Sequence, residues 1–151
     1  MSASVPFDPL VDEVSQGCLL TRARQISRVL TTLYDDALRH FGISAPQFTL
    51  LIMIARLGPV SRAEIGRQNH QERSTLTRNL QLLLAEGWVV EVVDASAGRS
   101  RPLALTAKGR ELLDAAGPAW RDAQRTAKAM LGEVGATYIV SMAAALPPDD
   151  R

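Results

Sequence analysis

One cysteine, Cys18, is all that this chain of 151 residues carries, so no internal disulfide framework is possible. Histidine is almost as scarce. His40 and His70 are the only two, and neither has a cysteine or carboxylate at a metal-ligand spacing, so no metal site is expected. A glycine-rich phosphate loop is lacking as well, because Gly132-Glu133-Val134-Gly135 is not followed by the rest of such a motif. Catalysis therefore has almost nothing to rest on, and neither enzyme activity nor a cofactor is expected. No apolar run reaches the roughly 18 residues of a membrane span, and no charged-then-apolar leader precedes the first helix. A soluble, cytoplasmic chain without a membrane partner is the expectation. Charge of neither sign dominates, with 17 Lys and Arg against 16 Asp and Glu. Lysine is nearly missing, Lys108 and Lys128 being the only two, so the positive charge is almost all arginine. Arginine suits forked, bidentate contacts, although a GC-rich genome produces the same bias.

What is present is mostly helical pattern, in a length that suits one domain with a real core. Val5 to Pro9 is a short irregular start. From about Asp12 to Phe41, Leu19, Ala23, Ile26, Leu30, Leu33, Ala37 and Phe41 recur every three or four residues, which predicts one long amphipathic helix ended by Gly42. Ser44, Pro46 and Gln47 then start a helix that Leu50, Leu51, Ile54 and Leu57 bury, up to Gly58-Pro59. Thr106 caps another long helix with Leu112, Leu113, Ala116, Trp120, Ala123, Ala127 and Met130 on its apolar side; Gly117-Pro118 is expected to kink it. A last helix after Gly132 holds Tyr138, Met142 and Leu146.

Residues 61 to 106 are the most informative. Ser61 and Glu64 have capping-box spacing. A second helix is expected from about Glu72 to Glu86, with Leu76, Leu80 and Leu83 inward and Arg73, Ser74, Thr77, Arg78 and Gln81 outward. Gly87 can take the left-handed conformation that ends a helix. Two β-rich pieces, Trp88 to Val93 and Pro102 to Thr106, flank the small, basic run Ala95 to Arg101. Helix, turn, helix and basic-tipped ribbon make a winged helix-turn-helix, the layout of a DNA reader. Helix geometry then assigns Thr77, Arg78 and Gln81 to the major groove, where Arg78 can give two donors to guanine and Gln81 suits adenine. Ser74 and Thr75, at the helix start, are placed for phosphate. Arg99 and Arg101, with Ser100 between them, would reach the minor groove or its phosphates. The competing assignment for each arginine is a solvated charge or an ion pair, Arg101 with Asp94 for example.

The segments RSTLTRNLQLL, AEGWVVEVVD and GRSRPLALTAKG resemble, in that order, the multiple-antibiotic-resistance-regulator (MarR) family of bacterial transcription factors, over roughly residues 14 to 146. Ser74-Thr75-Leu76-Thr77-Arg78 stands where the family's recognition helix begins, Arg99-Ser100-Arg101 at its wing, and Leu105 to Gly109 at the opening of its long dimerisation helix. Asn69 and Gln71 depart from the pattern, occupying turn positions that are usually apolar, and Leu82 and Leu84 replace polar residues. The resemblance implies a mainly α fold with a small β-wing. One domain would span 1–151, its winged helix-turn-helix part at 44–106 and dimerisation helices at 12–42 and 107–146.

The first and last helices are not needed to complete a winged-helix core, yet each has a broad apolar face that must be covered. A second copy is the simplest cover, and such a dimer sets two recognition helices about one DNA turn apart on a pseudo-palindromic operator. The implied function is a repressor released by a small aromatic or anionic effector, bound between the dimer helices and the DNA-binding part, with Arg22, Phe48 and Ile52 as lining. Two alternatives stand beside it. One is a thiol-based redox sensor acting through Cys18, against a plain apolar role beside Leu19. The other is a winged-helix module for protein–protein contact through Leu82 and Leu84.

Overall fold

The computed structural model describes residues 8–93, 98 and 101–149. Asp8 opens the first helix, α1 (Pro9–Gly17), by accepting hydrogen bonds from the N–H groups of Leu10 and Val11, with Pro9 in the first turn where its missing N–H does no harm. Here the structure corrects the expected unbroken helix from 12 to 41. Gly17, the weakest helix former short of proline, ends α1, and Cys18 is extended (φ −68°, ψ 110°) before α2 (Leu19–Leu38) begins. Arg22 braces the joint by donating from its guanidinium to the Ser15 carbonyl. After α2 the chain tightens into a 3-10 turn, Arg39–Phe41, and leaves it through Gly42.

The next helix, α3 (Ala45–Leu57), starts on a complete capping box. The Ser44 hydroxyl accepts from the Gln47 N–H (3.4 Å), and the Gln47 side chain accepts from the Ser44 N–H (3.0 Å). Its apolar residues face several directions, so α3 is the central post: Phe48, Leu50, Leu51, Met53 and Ile54 are all buried, against α2, α5, α6 and the sheet. Helix α4 (Arg62–Asn69) is capped by the Ser61 hydroxyl on the Glu64 N–H (3.1 Å). Only half of the expected box forms there, since Glu64 turns instead to Arg67 and Gln68. His70 takes the left-handed conformation (φ 49°) that turns the chain, and Asn69 and Gln71 satisfy each other at 3.0 Å.

Helix α5 (Arg73–Ala85) follows, with Leu76, Leu80 and Leu83 buried as their spacing predicts. Gly87 (φ 72°) closes it and lets the Trp88 N–H return to the Leu83 carbonyl (3.1 Å). The ribbon is shorter than expected: β1 (Val89–Glu91) and β2 (Leu103–Leu105) pair antiparallel, Val89 against Leu105 and Glu91 against Leu103. Val60, before α4, exchanges two backbone hydrogen bonds with Leu103 (2.8 and 3.0 Å), which ties the first residue of β2 to the helix-turn-helix.

Thr106 caps α6 (Ala107–Ala145) through the Gly109 N–H (3.0 Å). Gly109 lies against β1 so closely that a Cβ there would fall on the Trp88 carbonyl oxygen and within 2.7 Å of the Leu105 side chain. The expected kink at Gly117-Pro118 does not appear in the dihedrals, which stay helical through Pro118 and depart only at Gly132 (φ 72°, ψ 157°). Pro118 and Asp114, four residues before it, are both exposed, so water can take the carbonyl that proline leaves unpaired. The described residues leave no buried side-chain polar atom unpartnered. Beyond α6 the Asp149 N–H donates to the Arg67 carbonyl of α4 (2.9 Å).

Candidate nucleic-acid interface and effector crevice

Burial of Leu76, Leu80 and Leu83 turns the other side of α5 to solvent, and Arg73, Ser74, Thr75, Thr77, Arg78 and Gln81 are all exposed there. Three of these, Arg73, Arg78 and Gln81, form no side-chain hydrogen bond or ion pair among the described residues. Thr77 donates its hydroxyl to the Arg73 carbonyl (2.8 Å).

The start of α5 holds a feature that sequence reasoning missed. Glu72 caps the helix, its carboxylate accepting from the N–H groups of Ser74 and Thr75 (3.2 Å each) and from both their hydroxyls. The Ser74 hydroxyl, then the two N–H groups, hold the Glu72 carboxyl at about 2, far below its ordinary range. The helix end expected to receive a phosphate thus already carries its own anion. A glutamate two residues before Ser74 was the available signal; its place at the expected helix start, Glu72, is the N-cap and not the first helical residue.

At the ribbon, Arg101 is exposed and its guanidinium lies 3.8 Å from Glu91, which also accepts from Arg62 at the start of α4. Arg99, Ser100 and the Asp94 suggested as the partner of Arg101 lie outside the described residues. Leu84 packs against the core, whereas Leu82 is half exposed.

A second site lies between α2, α3 and α6, a crevice of about 770 Å³, within the 300–1,000 Å³ range typical of small-molecule sites. Phe48, Tyr34 and Trp120 give it aromatic walls, Ile139 and Met142 close one side, and Arg22 supplies a cation. Tyr34 and Trp120 are tilted neighbours, ring centres 6.4 Å apart, and the Tyr34 hydroxyl donates to Gln124 of α6. Partial burial raises the Tyr34 pKa, so its hydroxyl stays a neutral donor. Of the three residues expected here, Arg22 and Phe48 line the crevice, while Ile52 is half exposed and does not. The crevice ends one turn before Ile52.

Cys18 is half buried at the joint between α1 and α2, not part of the core. The Thr21 hydroxyl and N–H lower its thiol pKa, with Arg22 contributing least. Among the described residues no group of three or more His, Cys, Asp or Glu could hold a metal, and no helix is long and apolar enough to cross a membrane.

A winged helix-turn-helix with a cationic outer face on its second helix defines a class, the DNA-reading regulators. Comparison with known proteins is specific about the branch. A family model described as the MarR family matches residues 41–100. The HTH-type transcriptional repressor Rv2887 of Mycobacterium tuberculosis is 33% identical over 103 residues, covering 68% of this chain and 72% of the relative. A solved structure of that protein with p-aminosalicylic acid aligns with a TM-score of 0.62 at 28% identity, over 82% of this chain and 94% of the other. The M. tuberculosis transcriptional regulator MosR aligns with a TM-score of 0.69 at 32% identity, covering 87% and 98%. A mutant E. coli MarR with operator DNA shares the fold, at TM-score 0.77 and 21% identity over 93% and 100%. The chain belongs to the MarR family of transcriptional regulators.

Proposed function

We propose that this regulator is a repressor that binds a pseudo-palindromic operator as a homodimer and is released by a small aromatic anion. The observation that carries the reading is the outer face of α5, where Arg78 and Gln81 are exposed and uncommitted among the described residues. In this reading Thr77, Arg78 and Gln81 read bases in the major groove and Arg73 meets phosphate, while Ser74 and Thr75, expected to do the same, are held by the Glu72 carboxylate. The wing residues Arg99, Ser100 and Arg101 follow the adjacent minor groove. Residues 44–106 form the DNA-binding part, and 12–42 with 107–146 the arms that dimerise.

Support for the dimer comes from α1, the first turns of α2 and the end of α6, which expose Leu10, Leu19, Val134, Tyr138 and Val140. A second copy would cover them with the same surface. For the effector, the crevice offers aromatic walls and the Arg22 guanidinium, a combination that suits a benzoate-like ring and its carboxylate. The related repressor's complex with p-aminosalicylic acid points to the same ligand class.

Selection of duplexes from a random pool tests the reading. The parent protein should enrich a two-fold symmetric sequence whose half-sites lie about one helical turn apart. Arg78→Ala should lose roughly 1–3 kcal/mol on that duplex and relax the preference at one base position. Equal weakening on every sequence would make Arg78 a phosphate contact only. Adding p-aminosalicylic acid should release the duplex and perturb Trp120 fluorescence; release without a Trp120 signal would move the effector out of this crevice.

A further inference from the structure

A two-stranded ribbon is marginal by itself, and this one is held tightly only along the three pairs from Val89–Leu105 to Glu91–Leu103. Leu103 and Val89 are buried there, and Val60 ties the ribbon to the chain before α4. Farther out the support thins quickly. After the Glu91–Leu103 pair, one more hydrogen bond follows, Val92 N–H to the Pro102 carbonyl (2.8 Å), and Val93 is 88% exposed. Among the described residues, the side-chain links from this outer part back to the helices converge on Arg62, which reaches Arg101 directly and through Glu91. One carboxylate oxygen accepts from Arg62 and the other lies 3.8 Å from Arg101. Arg62 also donates toward the Arg101 carbonyl (3.5 Å), so three charged residues from α4, β1 and the segment entering β2 meet at one point. Arg62 is itself well rooted, between the Ser61 cap and the fully buried Ile65.

We propose that Glu91 is the positioning residue of the wing, clamping Arg62 of α4 to Arg101 so that Arg101 and the start of β2 are held at a fixed place beside α4. This rests on the DNA-binding reading above and adds to it a residue that touches no DNA. The charge of Glu91 makes the idea testable by sign. A carboxylate beside a DNA-facing surface repels phosphate, so its neutralisation should strengthen any contact that depends on charge alone. If Glu91 instead sets geometry, the same change must weaken binding to the preferred sequence. The three side chains are partly exposed (31% for Glu91, 40% for Arg62, 65% for Arg101), so their pairing contributes little to global stability.

The experiment compares the parent with Glu91→Gln, Arg62→Gln and the double variant, as full chains. The probes are the duplex that the parent selects from a random pool and sonicated salmon-sperm DNA. Glu91→Gln should bind the selected duplex about three- to tenfold more weakly while binding salmon-sperm DNA as well as the parent or better. The double variant should bind no more weakly than the weaker single, because both substitutions break one clamp. Amide exchange at Val92 and Leu103 should quicken in Glu91→Gln with an unchanged melting temperature. Equal or tighter binding of the selected duplex by Glu91→Gln would overturn the proposal, with or without faster exchange. Should the parent select no duplex at all, the DNA-binding reading falls by itself, and parental exchange rates at Val92 and Leu103 would separately deny Glu91 any hold on the ribbon.

Discussion

The middle of this molecule and its two ends use the same kind of residue to opposite purpose. In α3 and α5 most leucines and isoleucines find a partner, Ile52 and Leu82 being the exceptions, and Leu50, Leu51, Ile54 and Leu83 have no exposed surface at all. In α1, early α2 and late α6 equally periodic residues stay open, Leu19 at 85% and Val134 at 68%. Periodicity therefore declares that a face is to be covered without saying by what. Where the winged-helix core supplies the cover, the element is self-sufficient. Where it does not, the face stays open among the described residues.

The sharpest break of that comparison is to charge the open ends. On the proposed homodimer, the double substitution Val134→Asp and Val140→Asp should leave only monomer in sedimentation and keep the core's circular dichroism intact. Loss of the linked second half-site should then weaken operator binding about 10²- to 10⁴-fold. A variant that remains dimeric would show that these residues belong to some other surface.

Opening the closed middle should act on folding instead. Leu80→Ala removes a side chain that is 1% exposed, between α5 and α3, and should lower the unfolding free energy by about 2–5 kcal/mol in urea titration. A loss under about 1 kcal/mol would mean that the middle relies on the arms for its stability.

A smaller effect sharpens the boundary at the recognition helix. The folded Glu72 carboxyl titrates at about 2, below its ordinary 4.5. Its stabilisation is thus complete above pH ~4.5 and is lost as pH falls through about 2. Glu72→Gln should flatten the acid limb of stability between pH 5 and 2 relative to the parent, seen as a smaller drop in denaturation midpoint. An identical acid limb in both proteins would deny Glu72 its capping role.

Boundaries set by local chemistry were legible beforehand. Ser44 with Gln47, Gly87 and Thr106 each satisfy backbone groups within a few residues of themselves, and each acts as their spacing predicts. The break at Cys18 was hidden, because the stripe from Leu19 to Phe41 runs smoothly and Gly17 alone does not show that the stripe's first turns pack on nothing. Pro118 misled in the other direction, since an exposed proline loses only a bond that water replaces. The outward residues of α5 followed directly from the inward leucines. Glu91 and Arg62 could not be paired that way, because 29 residues separate them and their only local signal is opposite charge.

Gly109 is where the long helix and the ribbon touch. Between the long helix and the ribbon there is usually a layer of side chains, which can flex when one element shifts. At Gly109 that layer is missing, and α6 rests directly on the Trp88 carbonyl. Thr106 bonds to the same carbonyl, and Lys108 reaches back to the Glu86 carbonyl (2.6 Å) at the end of α5. α6, the helix that walls the crevice at Trp120, therefore meets the foot of the ribbon and the end of α5 backbone to backbone, with no side chain of its own between them at this point.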